Sequence, residues 1–153
     1  MNVYVAPHLV NKDYPLYNID DVYNGIVVTG NAIGDVMFYG KGAGKMPTAS
    51  AIIADIIDIL NKTANNIIWE ENDGNYVADY KKEPVKLYIR AEFICNTPES
   101  FINDLFPKSE IFIAKDKNEI YFFTKENIFE EFEQKINILS QHGFNVITIL
   151  RIL

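Results

Sequence analysis

Hydrophobic and polar residues alternate most regularly in the second half of the chain, directly after Pro84. From Leu87 to Phe93 every second side chain is apolar, and these residues alternate with Lys86, Tyr88, Arg90 and Glu92. This period of two is typical of a half-buried β-strand. Two further strands are predicted at residues 110–114 and 119–124, on either side of a polar turn, and a last strand at residues 145–153.

Two amphipathic helices are predicted between these strands. Thr97 can cap the first, with Pro98 at its first position, where the missing proline N–H costs nothing. Asn127 and Glu130 resemble a capping box at the start of the second, and Gly143 suits the residue just beyond its end. The resulting order is β-α-β-β-α-β, which is the ferredoxin-like arrangement. The fold class is therefore predicted as α+β.

The first sixty residues follow a different pattern. Two short β-branched runs at residues 25–30 and 35–39 predict a hairpin, which a glycine-rich turn at residues 40–44 connects to a helix. Pro47 suits the first turn of that helix. One apolar stripe is formed by Ile52, Ile53, Ile56 and Leu60. Ile57 and Ile59 widen it, so we expect the helix to be buried on more than one side.

The segment between these parts loses its periodicity. Residues 63–84 are polar and rich in turn-forming residues, and only residues 67–69 suggest a short strand. We therefore divide the chain into residues 1–62, a linker at 63–84, and a second domain at 85–153.

The composition narrows the class of protein. With 48% hydrophobic and 23% charged residues, the chain has the make-up of a soluble globular protein. Its net charge of −7 argues against nonspecific binding to nucleic acid or an anionic membrane. Cys95 is the single cysteine, which excludes an internal disulfide and a cysteine-cluster metal site. No signal peptide is visible, and we expect a cytoplasmic location.

The glycine-rich turn is the stretch best suited to carry chemistry. Gly40 and Gly44 enclose only three residues before Lys45, and Met46 follows, so the spacing does not fit a phosphate-binding P-loop. A dinucleotide-binding fingerprint would need glycine in place of Lys45. Two interpretations stay open: a tight strand-to-helix turn, or a backbone that lies close to a ligand.

Other chemistry-bearing residues have simpler explanations. His8 and His142 lack a second ligand at helical spacing, so no metal site is expected. Cys95 is interpreted as a small core residue. The aromatic residues Phe112, Tyr121, Phe122 and Phe123 stand in an acidic setting without a glycine–aromatic signature, so we interpret them as core residues rather than an RNA-binding platform.

Three segments of the first part carry a family resemblance. Residues 22–26, 34–44 and 47–57 (VYNGI, GDVMFYGKGAG and PTASAIIADII) resemble the end of the catalytic domain of the homoserine dehydrogenase family. Upstream, residues 5–10 resemble the segment that precedes it. Residues 85–153 are similar in pattern to the regulatory ACT domain that many bacterial members carry at the C-terminus.

The resemblance implies an oxidoreductase that interconverts L-homoserine and L-aspartate 4-semialdehyde with NAD or NADP, in threonine, methionine and isoleucine biosynthesis. It implies that the turn approaches the cofactor from outside the nucleotide-binding domain. Gly42 is the first expected contact, and the others are Gly40, Ala43, Gly44 and Thr48. Asn24 is expected either to shape this site or to order the hairpin from a buried position.

The same resemblance implies a missing portion. The family's dinucleotide-binding loop and catalytic lysine lie upstream, so we expect a C-terminal fragment that has no catalytic residue, binds no cofactor and is inactive by itself. The alternative is a non-catalytic ACT-type module for amino-acid binding or dimerisation. Threonine is the effector that the family implies. The loop at residues 95–99 lacks the glycine that effector-binding ACT domains share, which argues against it.

We predict that the chain is a homodimer. Residues 1–62 should leave strand edges and an apolar helix that need to be covered by another surface. Light scattering at micromolar concentration should therefore give twice the mass of one chain, and a strictly monomeric mass would contradict the prediction.

Overall fold

The computed structural model describes residues 2–63, 71, 74, 76–94, 96 and 98–153. Three predictions lie outside these residues: the short strand at 67–69, the core position of Cys95 and the cap at Thr97. The chain forms two compact units. We call Val10–Asn72 the hairpin–helix unit, and Met1–Leu9 with Asp73–Leu153 the sheet unit. The domain boundaries at residues 62 and 85 stay a prediction.

The elements follow one another along the chain as strands and helices of mixed length. The first half contains β1 (His8–Leu9), β2 (Tyr23–Gly30), β3 (Gly34–Lys41) and α1 (Lys45–Leu60). After a 3₁₀ turn at Tyr80–Lys82, the second half contains β4 (Pro84–Phe93), α2 (Pro98–Leu105), β5 (Glu110–Ala114), β6 (Glu119–Phe123), β7 (Asn127–Ile128), α3 (Phe129–Gln141) and β8 (Phe144–Ile152). The predicted α+β class is confirmed.

One sheet organises the sheet unit. Its strands lie in the order β1-β8-β4-β6-β5, and the pairs from β8 to β5 are antiparallel. β1 pairs in parallel with the end of β8, and β7 pairs with the first two residues of β4. Neither β1 nor β7 was predicted, because a two-residue strand has too few positions to show a period of two.

The alternation along β4 explains where the core lies. Leu87, Ile89 and Ala91 are fully buried, whereas Lys86 and Glu92 between and beside them are exposed. The buried face packs with residues from β6, α2, α3 and β8, as the prediction of a half-buried strand requires. The core consists of Val85, Leu87, Ile89, Ala91, Ile102, Phe106, Ile120, Phe122, Phe132, Leu139 and Phe144.

The aromatic residues of β5 and β6 divide between the two sheet faces. Phe122 is fully buried, as predicted, but Phe112 is 46% exposed, and Tyr121 and Phe123 are only half-buried. Placing all four in the core was wrong, because neighbouring residues of a strand point to opposite faces. On the face opposite to the core, the Phe112 and Tyr121 rings stack with centroids 5.5 Å apart.

The same outer face carries a bidentate ion pair. Arg90 Nε and Nη2 donate to the two carboxylate oxygens of Glu119 at 3.0 and 2.8 Å. The hydrogen bonds from Arg90 hold the pKa of the Glu119 carboxyl below its ordinary value, and the same contacts raise the pKa of Arg90. Arg90 thus has a protein partner for its planar fork of donors.

The ends of α3 differ in how well they were predicted. Gly143 has a φ of +83° and follows His142, the C-cap residue of α3, so its expected place just beyond the helix is confirmed. The capping box was wrong. Asn127 lies in β7, and its side chain accepts from the Ile128 N–H and donates to Glu131 instead of capping the helix. The pairing of β7 with β4 holds Asn127 outside the helix.

The hairpin–helix unit exposes most of its apolar side chains. β2 and β3 pair over their full length, from Tyr23 with Lys41 to Gly30 with Gly34. No residue of α1 is buried, so the expectation of a helix buried on more than one side was wrong for this chain. Its six isoleucine and leucine residues are all at least half exposed, because no element of the described chain covers them.

We expect the two phenylalanines Phe122 and Phe112 to differ sharply in their effect on stability. Phe122→Ala should lower the free energy of unfolding by about 3–5 kcal/mol, since it leaves a cavity among fully buried neighbours. Phe112→Ala, on the neighbouring strand, is the matched control and should cost about 1 kcal/mol or less. Urea unfolding followed by circular dichroism measures both, and equal losses would refute this placement of the core.

Candidate functional site

The glycine-rich turn joins the end of β3 to the start of α1. Gly40 and Lys41 are the last residues of β3, where they pair with Asn24 and Tyr23. Three residues, from Gly42 to Gly44, then lead directly into the helix. Every residue from 40 to 46 is exposed, so the backbone of the turn is open to a ligand. The hairpin therefore presents the turn at its open end.

Gly42 is held against the opposite strand. Its N–H donates to the Val22 carbonyl oxygen at 3.1 Å, which ties the turn to the start of β2. A Cβ atom at Gly42 would overlap the side-chain amide of Asn24. Glycine is thus favoured here by the close approach of the Asn24 side chain rather than by a positive φ.

Asn24 is exposed, which removes the interpretation that it orders the hairpin from a buried position. Its side chain instead fills the space in front of Gly42. Since Asn24 and Gly40 are register partners, the hairpin pairing brings Asn24 to the turn. An amide group at this point can both donate and accept hydrogen bonds.

The start of α1 adds backbone donors to the turn. Gly44 is the N-cap residue with a φ of +121°, a conformation that favours glycine, and it has no side chain to cap the helix. The Thr48 N–H donates to the Gly44 carbonyl oxygen at 3.2 Å, and Pro47 has no N–H. In the part of the chain that the structure describes, the N–H groups of Lys45 and Met46 have no acceptor. Such a helix start favours negatively charged or polar ligand groups.

Two tyrosines flank the turn. The rings of Tyr23 and Tyr39 stack with centroids 4.9 Å apart and an interplanar angle of 8°. Lys41 Nζ lies 5.6 Å from the centroid of the Tyr23 ring. Sequence reasoning did not single out these residues. Tyr23 and Tyr39 are sequence neighbours of Asn24 and Gly40 on the two paired strands. The sequence could indicate that they lie together only once the register of the hairpin was known.

The structure thus gathers all five sequence-predicted positions at one end of the hairpin. Gly40, Gly42, Ala43 and Gly44 form the turn, and Thr48 lies in the first helical turn. Thr48 supports the helix start through its backbone N–H, and its side-chain hydroxyl makes no hydrogen bond to another described residue. Whether these positions contact a cofactor stays a prediction.

The two histidines belong to the sheet unit. His8 Nδ1 is 2.9 Å from the Ala6 carbonyl oxygen, and His142 Nδ1 is 2.8 Å from that of Ile138, near the end of α3. Across the described ranges, no group of three or more His, Cys, Asp or Glu side chains is arranged to hold a metal ion. Within the same ranges, no helix is long and apolar enough to span a membrane.

Comparison with known proteins identifies the first part of the chain. Residues 1–57 match the sequence model of the homoserine dehydrogenase family. A homoserine dehydrogenase from Synechocystis sp. is 55% identical over 56 residues, which are 37% of this chain and 13% of that enzyme. Residues 1–57 of this chain belong to the homoserine dehydrogenase family. The glycine-rich turn and all but the last three residues of α1 lie inside the matching region.

Longer alignments extend into the sheet unit. A homoserine dehydrogenase from Lactococcus lactis is 30% identical over 112 residues, or 73% of this chain and 26% of that enzyme. The chain therefore spans between about an eighth and a quarter of the length of these relatives. The similarity therefore concerns only a part of a homoserine dehydrogenase.

Solved structures share the fold of the chain. A homoserine dehydrogenase from Thiobacillus denitrificans matches 99% of this chain and 39% of its own, with a TM-score of 0.79 and 20% identity. One from S. aureus matches 95% of this chain and 36% of its own, with a TM-score of 0.65 and 22% identity.

The contact between Gly42 and Asn24 gives a direct test of the turn. Gly42→Ala should lower the free energy of unfolding by about 1 kcal/mol, because the new methyl group displaces the Asn24 amide. Gly40→Ala is the matched control, since nothing lies within 4 Å of its added Cβ. Urea unfolding of the full chain measures both.

A double variant separates the clash from a general effect of alanine. In a protein that already carries Asn24→Ala, the change Gly42→Ala should cost much less stability than it does in the unchanged protein. The described contact would be contradicted if Gly42→Ala and Gly40→Ala lowered the free energy of unfolding equally. It would also be contradicted if Gly42→Ala cost as much with Asn24→Ala as without it.

Proposed function

We propose that this chain provides part of a homoserine dehydrogenase, and that its glycine-rich turn contacts the NAD or NADP cofactor. The observation that carries the proposal is the family match over residues 1–57, which includes the whole turn. The exposed backbone at Gly42 supports it, and so do the N–H groups at the start of α1 that have no acceptor among the described residues, because both allow a ligand to approach the main chain closely.

The turn can orient a cofactor without reacting with it. Backbone N–H groups at the helix start can donate to a ribose, amide or phosphate group, and the Asn24 amide lies beside Gly42 in the turn. The bound nicotinamide would accept the hydride from the carbon that bears the homoserine hydroxyl. Positioning of that carbon and the cofactor in reactive geometry is the contribution we assign to this region.

No residue of this chain is proposed to act on the substrate. The resemblance places the catalytic lysine and the loop for the pyrophosphate upstream of the matching segment, and neither Lys41 nor Lys45 occupies the place of that lysine. We therefore expect the chain alone to show no dehydrogenase activity. The net charge of −7 also opposes binding of a polyanionic cofactor by so few contacts.

For the sheet unit we propose a ferredoxin-like domain of the ACT type. Support comes from the order of its four main strands, β8-β4-β6-β5, with α2 and α3 as the two connecting helices. Threonine is the effector that the family implies, and the absence of glycine in the loop at residues 95–99 argues against it. The alternative function of the whole chain is a non-catalytic ACT-type module that binds an amino acid or dimerises.

A homodimer belongs to the same proposal. The exposed isoleucines of α1 and the exposed Ile26 and Phe38 of the hairpin form apolar surface that soluble proteins rarely leave uncovered. Another copy of the chain, or the rest of the enzyme, would bury it.

A chimera tests the proposed function. The segment of the Synechocystis homoserine dehydrogenase that matches this chain is replaced by residues 1–57 of this chain, and reduced cofactor is followed with homoserine and either NAD or NADP. We expect activity in the chimera and none in the isolated chain. Gly42→Val in the chimera should raise the KM for the cofactor at least about tenfold, which is ~1.4 kcal/mol of lost binding.

Asp35→Ala is the matched control for the chimera. Asp35 lies at the opposite end of the hairpin, where it accepts from the Thr29 hydroxyl, so its loss should leave the cofactor KM unchanged. A folded chimera without activity would favour the non-catalytic alternative. Activity of the isolated chain that survives repurification and disappears with Gly42→Val would overturn the division of roles proposed above.

A further inference from the structure

Arg151 is a charged residue in a buried position of the sheet unit. It lies near the end of β8, between Leu87 of β4 and His8 of β1, and only 7% of it is exposed. Buried arginine is uncommon, because removal of a guanidinium from water is costly unless the charge is paired. The surroundings of Arg151 must therefore account for its charge.

Aromatic rings enclose the guanidinium on several sides. Its central carbon lies 4.0 Å from the centroid of Tyr4, 4.7 Å from that of Phe129 and 5.8 Å from that of Tyr80. The faces of these rings attract the positive charge. They do not replace hydrogen-bond acceptors, because the five N–H donors of arginine point outward within the guanidinium plane.

These donors have no acceptor in the described part of the chain. Neither a side-chain hydrogen bond nor an ion pair of Arg151 is present there, whereas Arg90 binds Glu119 with two donors. Glu133 lies near Arg151, but it pairs with Lys81 at 2.7 Å. Arg151 is thus held in place by rings and still has its fork of donors available.

Arg151 lines a cavity of about 320 Å³ that also holds an unused acceptor. Asn2 lines the same cavity, and its Oδ1 is buried without a hydrogen-bond partner in the described residues. Lys86 adds a second positive charge to the wall, and Glu83 and Glu126 lie beyond ion-pair distance of Arg151. Unpaired buried groups of this kind are rare in folded proteins, and a bound water or a ligand would supply the partner that each of them lacks.

We propose that this cavity of the sheet unit binds a compact oxyanion, a carboxylate or a phosphate, through the guanidinium of Arg151. The planar fork of arginine matches two oxygens of either group, and the three rings fix its plane before the anion arrives. A protonated oxygen or an ammonium group on the same ligand can donate to Asn2 Oδ1. The site lies outside the hairpin–helix unit and does not depend on the proposed dehydrogenase function.

The arginine content of the chain makes a direct measurement possible. Arg90 and Arg151 are its two arginines, so a ¹H–¹⁵N spectrum contains two side-chain Nε–Hε signals. The full chain is titrated with sodium phosphate in one experiment and with sodium acetate in another, at constant pH and ionic strength. We expect a saturating shift of the Arg151 signal and no shift of Arg90, which Glu119 already occupies. The anion that gives a saturating shift shows whether the site binds a phosphate or a carboxylate group.

Two variants complete the test. Arg151→Lys keeps the positive charge near the rings but loses the bidentate fork, so it should weaken anion binding at least tenfold, as measured by calorimetry. Arg90→Lys is the matched control and should bind as the unchanged protein does. If Arg151→Lys does not fold, the two arginine signals of the unchanged protein decide alone.

The proposal is overturned if neither anion gives a saturating shift of Arg151. Parallel, linear shifts of Arg90 and Arg151 would also overturn it, because they would reflect general screening of charge. The same holds if folded Arg151→Lys binds the anion as tightly as the unchanged protein.

Discussion

The sheet unit depends on the alternation of buried and exposed side chains along β4, which gives this strand one apolar and one polar face. Its buried residues Leu87, Ile89 and Ala91 lie on one face, and β6 and β8 pair along its two edges. Because a shift of one residue would turn every apolar side chain to the other face, the burial pattern fixes the register of both pairs. α2 and α3 then cover the buried face through Ile102, Phe132 and Leu139. The two arginines show how much the face matters, since Arg90 meets a carboxylate on the outer face and Arg151 meets aromatic rings on the inner one.

The hairpin–helix unit obeys a different constraint. Full-length pairing of β2 with β3 places Asn24 beside the turn and holds Gly42 close to the opposite strand. The backbone hydrogen bonds of the hairpin therefore shape the candidate site, although no residue of α1 is buried. A site built in this way depends on main-chain geometry more than on side-chain chemistry. This explains why three glycines, rather than acids or bases, mark it in the sequence.

The family match and the geometry support each other at one place. The matching residues 1–57 contain the turn, which has an exposed backbone and leads into helix N–H groups that find no acceptor among the described residues. The chain spans only a fraction of the homoserine dehydrogenases it matches, so the reacting groups are proposed to come from other parts of such an enzyme. In that view the hairpin–helix unit helps to position a cofactor, and the sheet unit is not assigned to the reaction.

The sequence by itself determined the features that depend on local periodicity and backbone chemistry. The alternation in β4, the bounds of β5, Pro98 at the start of α2 and Gly143 beyond α3 were all readable, because each follows from one residue's preference or from a short repeat. The glycine-rich turn and its family resemblance were readable for the same reason.

Only the tertiary structure decided the features that depend on partners distant in the chain. Pairing of β7 with β4 took Asn127 out of the helix, and the lack of any covering element left α1 exposed. The register of the hairpin brought Asn24 to Gly42, and the parallel pairing of β1 with β8 carried Tyr4 to Arg151. No local pattern encodes such contacts, because each joins residues whose separation is bridged only when the strands pair.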